Sequence, residues 1–266
     1  MFLNGITNSL QDQASKSGLC KLFGVRLVNN PSIVYLAKNA GFDALFIELE
    51  HSTLSIDDVT RLCMTSLPNG ITPFVRVPYQ CGYGLVQQAL DSGAMGIIFP
   101  HIHNKDDAEA AVRICKYPPQ GCRSMTGQLP LFGLKPTSVE TVIHETNKSG
   151  SSVILMIETV DSVDRVSEIA AVEGVEGLLI GSNDLSIELG VPGDFQSEKF
   201  RSALRKVSEA CKRNGKAMGL AGIYEMPELQ AWAIEELEVR FMLVQQDSGI
   251  LARGGEKCVE AVTMLA

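Results

Sequence analysis

Apolar residues along this chain fall into short continuous runs, each followed by a stretch whose apolar positions recur at helical spacing. The clearest case is residues 151–189: Ser152–Ile157 is an apolar run that stops at Glu158, and Gly177–Ile180 is a second that leads through Gly181 to a loop carrying Asp184. Between them Val160, Val163, Val166, Ile169 and Ala170 share one helical face, with Asp161, Asp164 and Glu168 on the other. Continuous apolar runs are the mark of strands buried on both faces, so the stretch predicts a parallel βαβ unit. In such a unit Glu158 and Asp184 emerge at the same carboxyl edge, where α/β folds place their chemistry.

The same alternation runs through the chain. Strands are predicted at Lys21–Val28, Gly41–Glu48, Thr72–Val77, Gly93–Pro100, Lys216–Leu220 and Glu238–Val244, besides the two above. Helices are predicted at Pro31–Asn39, Leu54–Leu67, Leu85–Ser92, Lys105–Cys115, Ser197–Asn214, Pro227–Leu237 and Ile250–Leu265. Ser55 and Asp58 fit a capping arrangement at the start of the second of these. The stretches GFDALFIE, SGAMGIIFP, GVEGLLIG and, less closely, LEVRFMLV repeat one βα element. Eight parallel strands with intervening helices predict a single (β/α)8 TIM barrel over residues 20–266, preceded by a polar extension, 1–19, that forms a helix or arm outside it. The segment 116–150, rich in proline and glycine with one helix around Ser138–Asn147, reads as a functional loop. No G-x-G-x-x-G follows a strand, which argues against a dinucleotide fold.

Composition narrows the class of partner. With 23 basic and 31 acidic residues the chain of 266 carries a formal charge of −8 and has no lysine or arginine run, so neither nucleic acid nor an anionic membrane is expected, and small molecules are. The N-terminus lacks a basic region followed by an apolar core, and no apolar run reaches the roughly 18 residues that span a bilayer. Seven dispersed cysteines without a C-x-x-C pair fit neither a disulfide framework nor a zinc ribbon, and a cytoplasmic protein is expected.

Charged residues gather at the expected carboxyl edge: Glu48, Glu50 and His51 after the second strand, Arg76 in the third, His101 and His103 after the fourth, then Glu158 and Asp184. Ionised groups cost free energy when partly desolvated unless paired, so stability alone explains such a cluster poorly. Glu158 and Asp184 are either caps for the helices that follow or ligands for a hard divalent cation; two carboxylates suit Mg²⁺ or Mn²⁺ better than a zinc cage. His51 is either a structural hydrogen-bonding group or a base oriented by Glu48 or Glu50. Arg76, a charge within an apolar strand, calls for an anionic partner: an acid such as Asp91, or a substrate oxygen that becomes negative during reaction. Arg123 either grips a substrate carboxylate or faces solvent. A competing pair, His101 and His103, sits two apart at a strand end and is able to ligate zinc as in metallohydrolases.

Six blocks in order then carry a resemblance: Phe46-Ile-Glu-Leu-Glu-His51, Val75-Arg76-x-Pro78, Leu90-Asp91-x-Gly93-Ala94, Tyr117-Pro-Pro-x-Gly121-x-Arg123, Ile157-Glu158-Thr159 and Ile180-Gly181-x-x-Asp184-Leu-Ser186. Together they resemble the HpcH/HpaI aldolases, the class II pyruvate aldolases. The resemblance implies a TIM barrel that uses Mg²⁺, Mn²⁺ or Co²⁺ to cleave or form the carbon–carbon bond of 4-hydroxy-2-oxo acids through a pyruvate enolate, with an aldehyde or other acceptor. It implies Glu158 and Asp184 as metal ligands and His51, Arg76, Glu48 and Asp91 as catalytic groups. Arg76, Ser182, Asn183 and Arg123 follow as substrate-binding groups, amides near Asn183 and Asp184 holding the pyruvate carboxylate. It also implies a homo-oligomer, trimer or hexamer, in which the last helix reaches a neighbour. This chain departs from the common pattern in having Glu48 for aspartate, Met156 for glutamine and Gly181-Ser-Asn-Asp184 for Gly-Pro-Ala-Asp. The stretch from Lys21 to Pro31 is closer to the macrophomate synthase branch, whose members decarboxylate oxaloacetate to the same enolate and couple it to another acceptor.

Overall fold

The computed structural model describes residues 7–265; residues 1–6 of the extension and Ala266 lie outside the described residues. Eight parallel strands close in sequence order into one barrel. They are β1 (Cys20–Val25), β2 (Ala44–Glu48), β3 (Thr72–Arg76), β4 (Gly96–Phe99), β5 (Ser152–Ile157), β6 (Gly177–Gly181), β7 (Ala217–Ala221) and β8 (Val239–Gln246). Leu45, Ile47, Val75, Ile97, Val153, Leu155 and Leu178 pack outward against the helices, while Leu22, Phe46, Phe74, Ile98, Ile154, Leu179 and Phe241 fill the lumen. Large lumen side chains need small neighbours. A Cβ on Gly96 would stand 2.8 Å from Phe74 Cδ1, so the glycine makes room for the ring.

Helix starts follow local chemistry. Ser55 and Asp58 form the reciprocal cap expected of them at Ile56–Ser66, and Asn104, Ser138, Thr159 and Ser197 each accept an N–H that would otherwise be orphaned. Several boundaries differ from the sequence reading. β1 ends at Val25 rather than Val28, because the amides of Arg26, Leu27 and Val28 turn to the Asp247 carboxylate, at 3.1, 2.9 and 2.8 Å for Oδ2. The helix between β5 and β6 is broken at Arg165 into Val160–Asp164 and Val166–Ala170. The last helix begins at Asp247, directly after β8.

The extension contains a helix, Ser9–Ser15, that lies across the amino-terminal mouth of the barrel. Leu10 plugs the lumen, Asn8 donates to Ser149 O (2.9 Å) and Ser152 Oγ (3.0 Å), and Ser9 Oγ donates to Asp43 O (2.9 Å). Residues 116–150 also lie on this side, since they leave the helix Lys105–Cys115 and enter β5. They build a satellite core of Tyr117, Leu129, Leu131 and Val142 with Met95, so this long segment is not at the catalytic edge where a substrate loop would stand. Among the described residues no helix is long and apolar enough to cross a membrane.

Candidate active site

At the carboxyl edge the parallel register sets Glu48 of β2 directly beside Arg76 of β3. Arg76 grips Glu48 with a forked ion pair, Nε donating to Oε1 at 3.1 Å and a terminal nitrogen to Oε2, and its other terminal nitrogen lies 3.3 Å from Glu50 Oε2. Its anionic partners are therefore Glu48 and Glu50, not Asp91. Glu48 Oε1 also accepts the amides of Glu50 (2.7 Å) and His51 (3.1 Å), so one carboxylate both orients the arginine and shapes the turn that carries the histidine. The His51 ring is exposed, with Nε2 3.8 Å from Glu50 Oε2.

Glu158 is buried at the end of β5. Its Oε1 accepts the His101 amide at 2.6 Å and lies 3.3 Å from His101 Nδ1. Burial pushes its carboxyl above the usual range; the negative charge of Asp184 pushes the same way, against the His101 amide and the charges of His101 and Arg76. Asp184 is thus near enough for its charge to act on Glu158. It sits in the first turn of the helix Ser182–Glu188, not on a loop, with its side chain open to solvent. Gly181 lets Glu158 lie against the start of that helix: a Cβ there would meet Glu158 Oε2 at 2.5 Å. Next to it, Ser182 Oγ is buried without a partner among the described residues, and Asn183 lies exposed on the same turn. Two carboxylates near enough to feel each other's charge, a space that a Cβ would fill and an orphaned hydroxyl fit a hard divalent cation and an oxyanion beside it. Among the described residues no three His, Cys, Asp or Glu side chains cluster as an all-protein cage, so such an ion would keep positions open for substrate and water.

The remaining candidates divide. His101 joins the site, spanning Glu158 and Glu50 (Nε2 to Oε1, 3.5 Å), with Tyr79 edge-on to its ring at 5.0 Å. His103 follows two residues on, and its amide donates to Asp107 Oδ2 at 2.9 Å. Asp91 ends the helix Gly82–Asp91 on the amino-terminal side and takes the Arg123 guanidinium at 2.8 Å, where Arg123 is buried over the Tyr117 ring at 4.7 Å. Within one chain neither reaches Glu158. The sequence reading missed Tyr224, which packs on the lumen cluster near enough to Arg76 and Glu48 for both to act on its phenol; burial is what chiefly raises that group. An aromatic just past a strand end was the available signal.

The HpcH/HpaI aldolase/citrate lyase model matches residues 26–226. The chain belongs to that family. It is accordingly an enzyme of the carbon–carbon lyase type. It is 55% identical over 258 residues to a 4-hydroxy-4-methyl-2-oxoglutarate aldolase of Hapsidospora irregularis, covering 97% of this chain and 96% of that one. A protein of the same name from Chaetomium globosum is 55% identical over 97% of this chain and 96% of its own. Among solved structures, an HpcH/HpaI aldolase from Desulfitobacterium hafniense superposes with a TM-score of 0.88 at 28% identity, over 95% of this chain and 96% of that one. Macrophomate synthase shares the fold, with a TM-score of 0.77 at 23% identity, over 97% and 90% of the two chains.

Proposed function

We propose that this family member is a divalent-metal-dependent aldolase that cleaves or forms 4-hydroxy-2-oxo acids through a pyruvate enolate, with Glu158 and Asp184 as the ligands of Mg²⁺, or of Mn²⁺ or Co²⁺. The observation that carries this reading is a buried Glu158 lying against Gly181, at the start of the turn that carries Asp184, on the same rim as an arginine held in a fork two strands away. The bound ion would supply Lewis acidity toward the keto and carboxylate oxygens of the 2-oxo acid. Arg76, fixed by Glu48, stabilises the negative charge that grows on the keto oxygen; a preoriented donor of this kind is typically worth about 2.7–4 kcal/mol. His51 takes the proton of the C4 hydroxyl in the cleavage direction and returns it in synthesis, with the Glu50 carboxylate beside its ring. Ser182 Oγ and the amides of Asn183 and Asp184 receive the pyruvate carboxylate.

In this reading Asp91 and Arg123 brace the amino-terminal side rather than touch substrate in their own subunit. The acceptor is a second 2-oxo acid, as the relatives' name suggests, or an aldehyde. Loss of CO₂ from oxaloacetate would yield the same enolate. The chain acts as a homo-oligomer, since the helix Asp247–Thr263 leaves Ile250, Leu251, Val259 and Val262 open to solvent. All seven cysteines are free, which suits the cytoplasm. A zinc hydrolase built on His101 and His103 is disfavoured, because among the described residues no three His, Cys, Asp or Glu side chains gather around that pair as zinc would need. The test is Glu158→Gln. The wild type should release pyruvate from 4-hydroxy-2-oxo acids with Mg²⁺ and gain a thermal shift from the ion, and the variant should do neither. Full wild-type activity in EDTA overturns the reading.

A further inference from the structure

The carboxyl edge is crowded with negative charge, and most of its positive charge is already spoken for. Glu48, Glu50, Glu158, Asp184 and Glu225 all stand at strand ends or in the turns that follow them. Against them, Arg76 is taken by Glu48 and Glu50, and Arg253 by Glu225 at 2.5 Å. Arg26, just past β1, is different: among the described residues it forms no ion pair, although it lies at the same edge. Nor is it a loose surface cation. Its amide is pinned to the buried Asp247 carboxylate at 3.1 and 3.2 Å, and its Nε donates to the carbonyl of His51 at 3.0 Å. With Nε committed, the two terminal nitrogens form the guanidinium edge that matches a carboxylate in bidentate fashion.

We infer that Arg26 is the docking group for a second carboxylate on the substrate, the one carried at C4 when the acceptor is itself a 2-oxo acid. The inference rests on the aldolase reading of the site, because it takes His51 as the group that meets the C4 hydroxyl. A carboxylate on C4 arriving at this acidic edge meets repulsion from Glu50 and the neighbouring acids; the guanidinium beside His51 offsets it where the C4 substituent must lie. A substrate with only a methyl group there gains nothing from Arg26. The residue therefore sets a preference between acceptors.

The experiment compares two substrates of one shape, 4-hydroxy-4-methyl-2-oxoglutarate and 4-hydroxy-4-methyl-2-oxopentanoate, in which a methyl replaces the distal carboxylate. Arg26→Gln should lower the ratio of their kcat/KM values by about tenfold or more, the worth of a hydrogen bond to a charged group, and Arg26→Lys should recover part of it. A ratio that moves less than twofold overturns the inference. So does an equal fall for both substrates, since that would mean Arg26 acts only by holding the His51 carbonyl. Calorimetric binding of 2-oxoglutarate against 2-oxopentanoate, with Mg²⁺ present, separates this from the aldolase reading. If the wild type cleaves neither substrate but Arg26→Gln still erases a preference for the dicarboxylate, the aldolase reading fails and the subsite stands. If no such preference exists in the wild type, the subsite fails whatever the enzyme cleaves.

Discussion

Replacing Arg76 with methionine separates the two things this arginine does. Its partner Glu48 is 1% exposed and Arg76 itself 11%, so Arg76→Met leaves a carboxylate buried without its counter-charge. Breaking a buried pair from one side costs about 3–5 kcal/mol. At about 2–4 °C per kcal/mol for a domain of this size, Tm should fall by roughly 6–20 °C. Turnover should fall about 10²–10³-fold as the charge facing the keto oxygen is lost. Adding Glu48→Gln should return part of the stability, because glutamine removes the stranded charge while its carbonyl still accepts the amides of Glu50 and His51. Recovery stays incomplete, since Glu50 also loses its contact with Arg76. Activity should not return at all. Urea melts and steady-state pyruvate release on both single variants and the double variant give the complete cycle. If kcat/KM recovers in step with stability, or if Arg76→Met keeps more than a tenth of wild-type activity, then Arg76 is a structural strut and its proposed catalytic role is wrong.

Two further variants probe the ion site and the scaffold. Gly181→Ala puts a methyl 2.5 Å from Glu158 Oε2 and 2.9 Å from its Cβ; it should cost the metal-free protein about 1–3 kcal/mol and remove the Mg²⁺-induced thermal shift, and a shift as large as the wild type's would show that the ion does not need the space at Gly181. Leu10→Ala empties the plug at the amino-terminal mouth and should cost about 2–5 kcal/mol in a urea melt while kcat stays at the wild-type value, because the change lies at the far end of the lumen from Glu158; a stability loss under 1 kcal/mol would mean the helix Ser9–Ser15 adds little to the core.

The strands were readable because a parallel barrel buries both faces of each one, leaving a continuous apolar signal that ends where the chain meets the catalytic edge. Glu158 stood out for that reason, as an acid abruptly closing the run Ser152–Ile157. Elements held by particular side-chain contacts were not readable. Nothing in the polar stretch 7–19 announces that one leucine fills the lumen, and nothing in residues 116–150 says which end of the barrel they cover except their position after a helix rather than after a strand. β1 ended early for a similar reason: Asp247, more than two hundred positions away, captures the amides that would have continued the ladder.

The partner of Arg76 falls between these cases. Asp91, one of the two kinds of partner open to it in the sequence beside a substrate oxygen, is carried by the helix Gly82–Asp91 to the opposite end of the barrel. The answer lay in the register. β2 and β3 are both five residues long, start level at Ala44 and Thr72, and so end level at Glu48 and Arg76. Once two parallel neighbours are known to begin together, the residues that close them face the same partner and the same solvent, and an acid and an arginine at those two positions have no better option than each other. The length of Glu48 relative to the aspartate common in the family then has a physical reading: the longer side chain forks Arg76 while one of its oxygens still reaches back to the Glu50 and His51 amides.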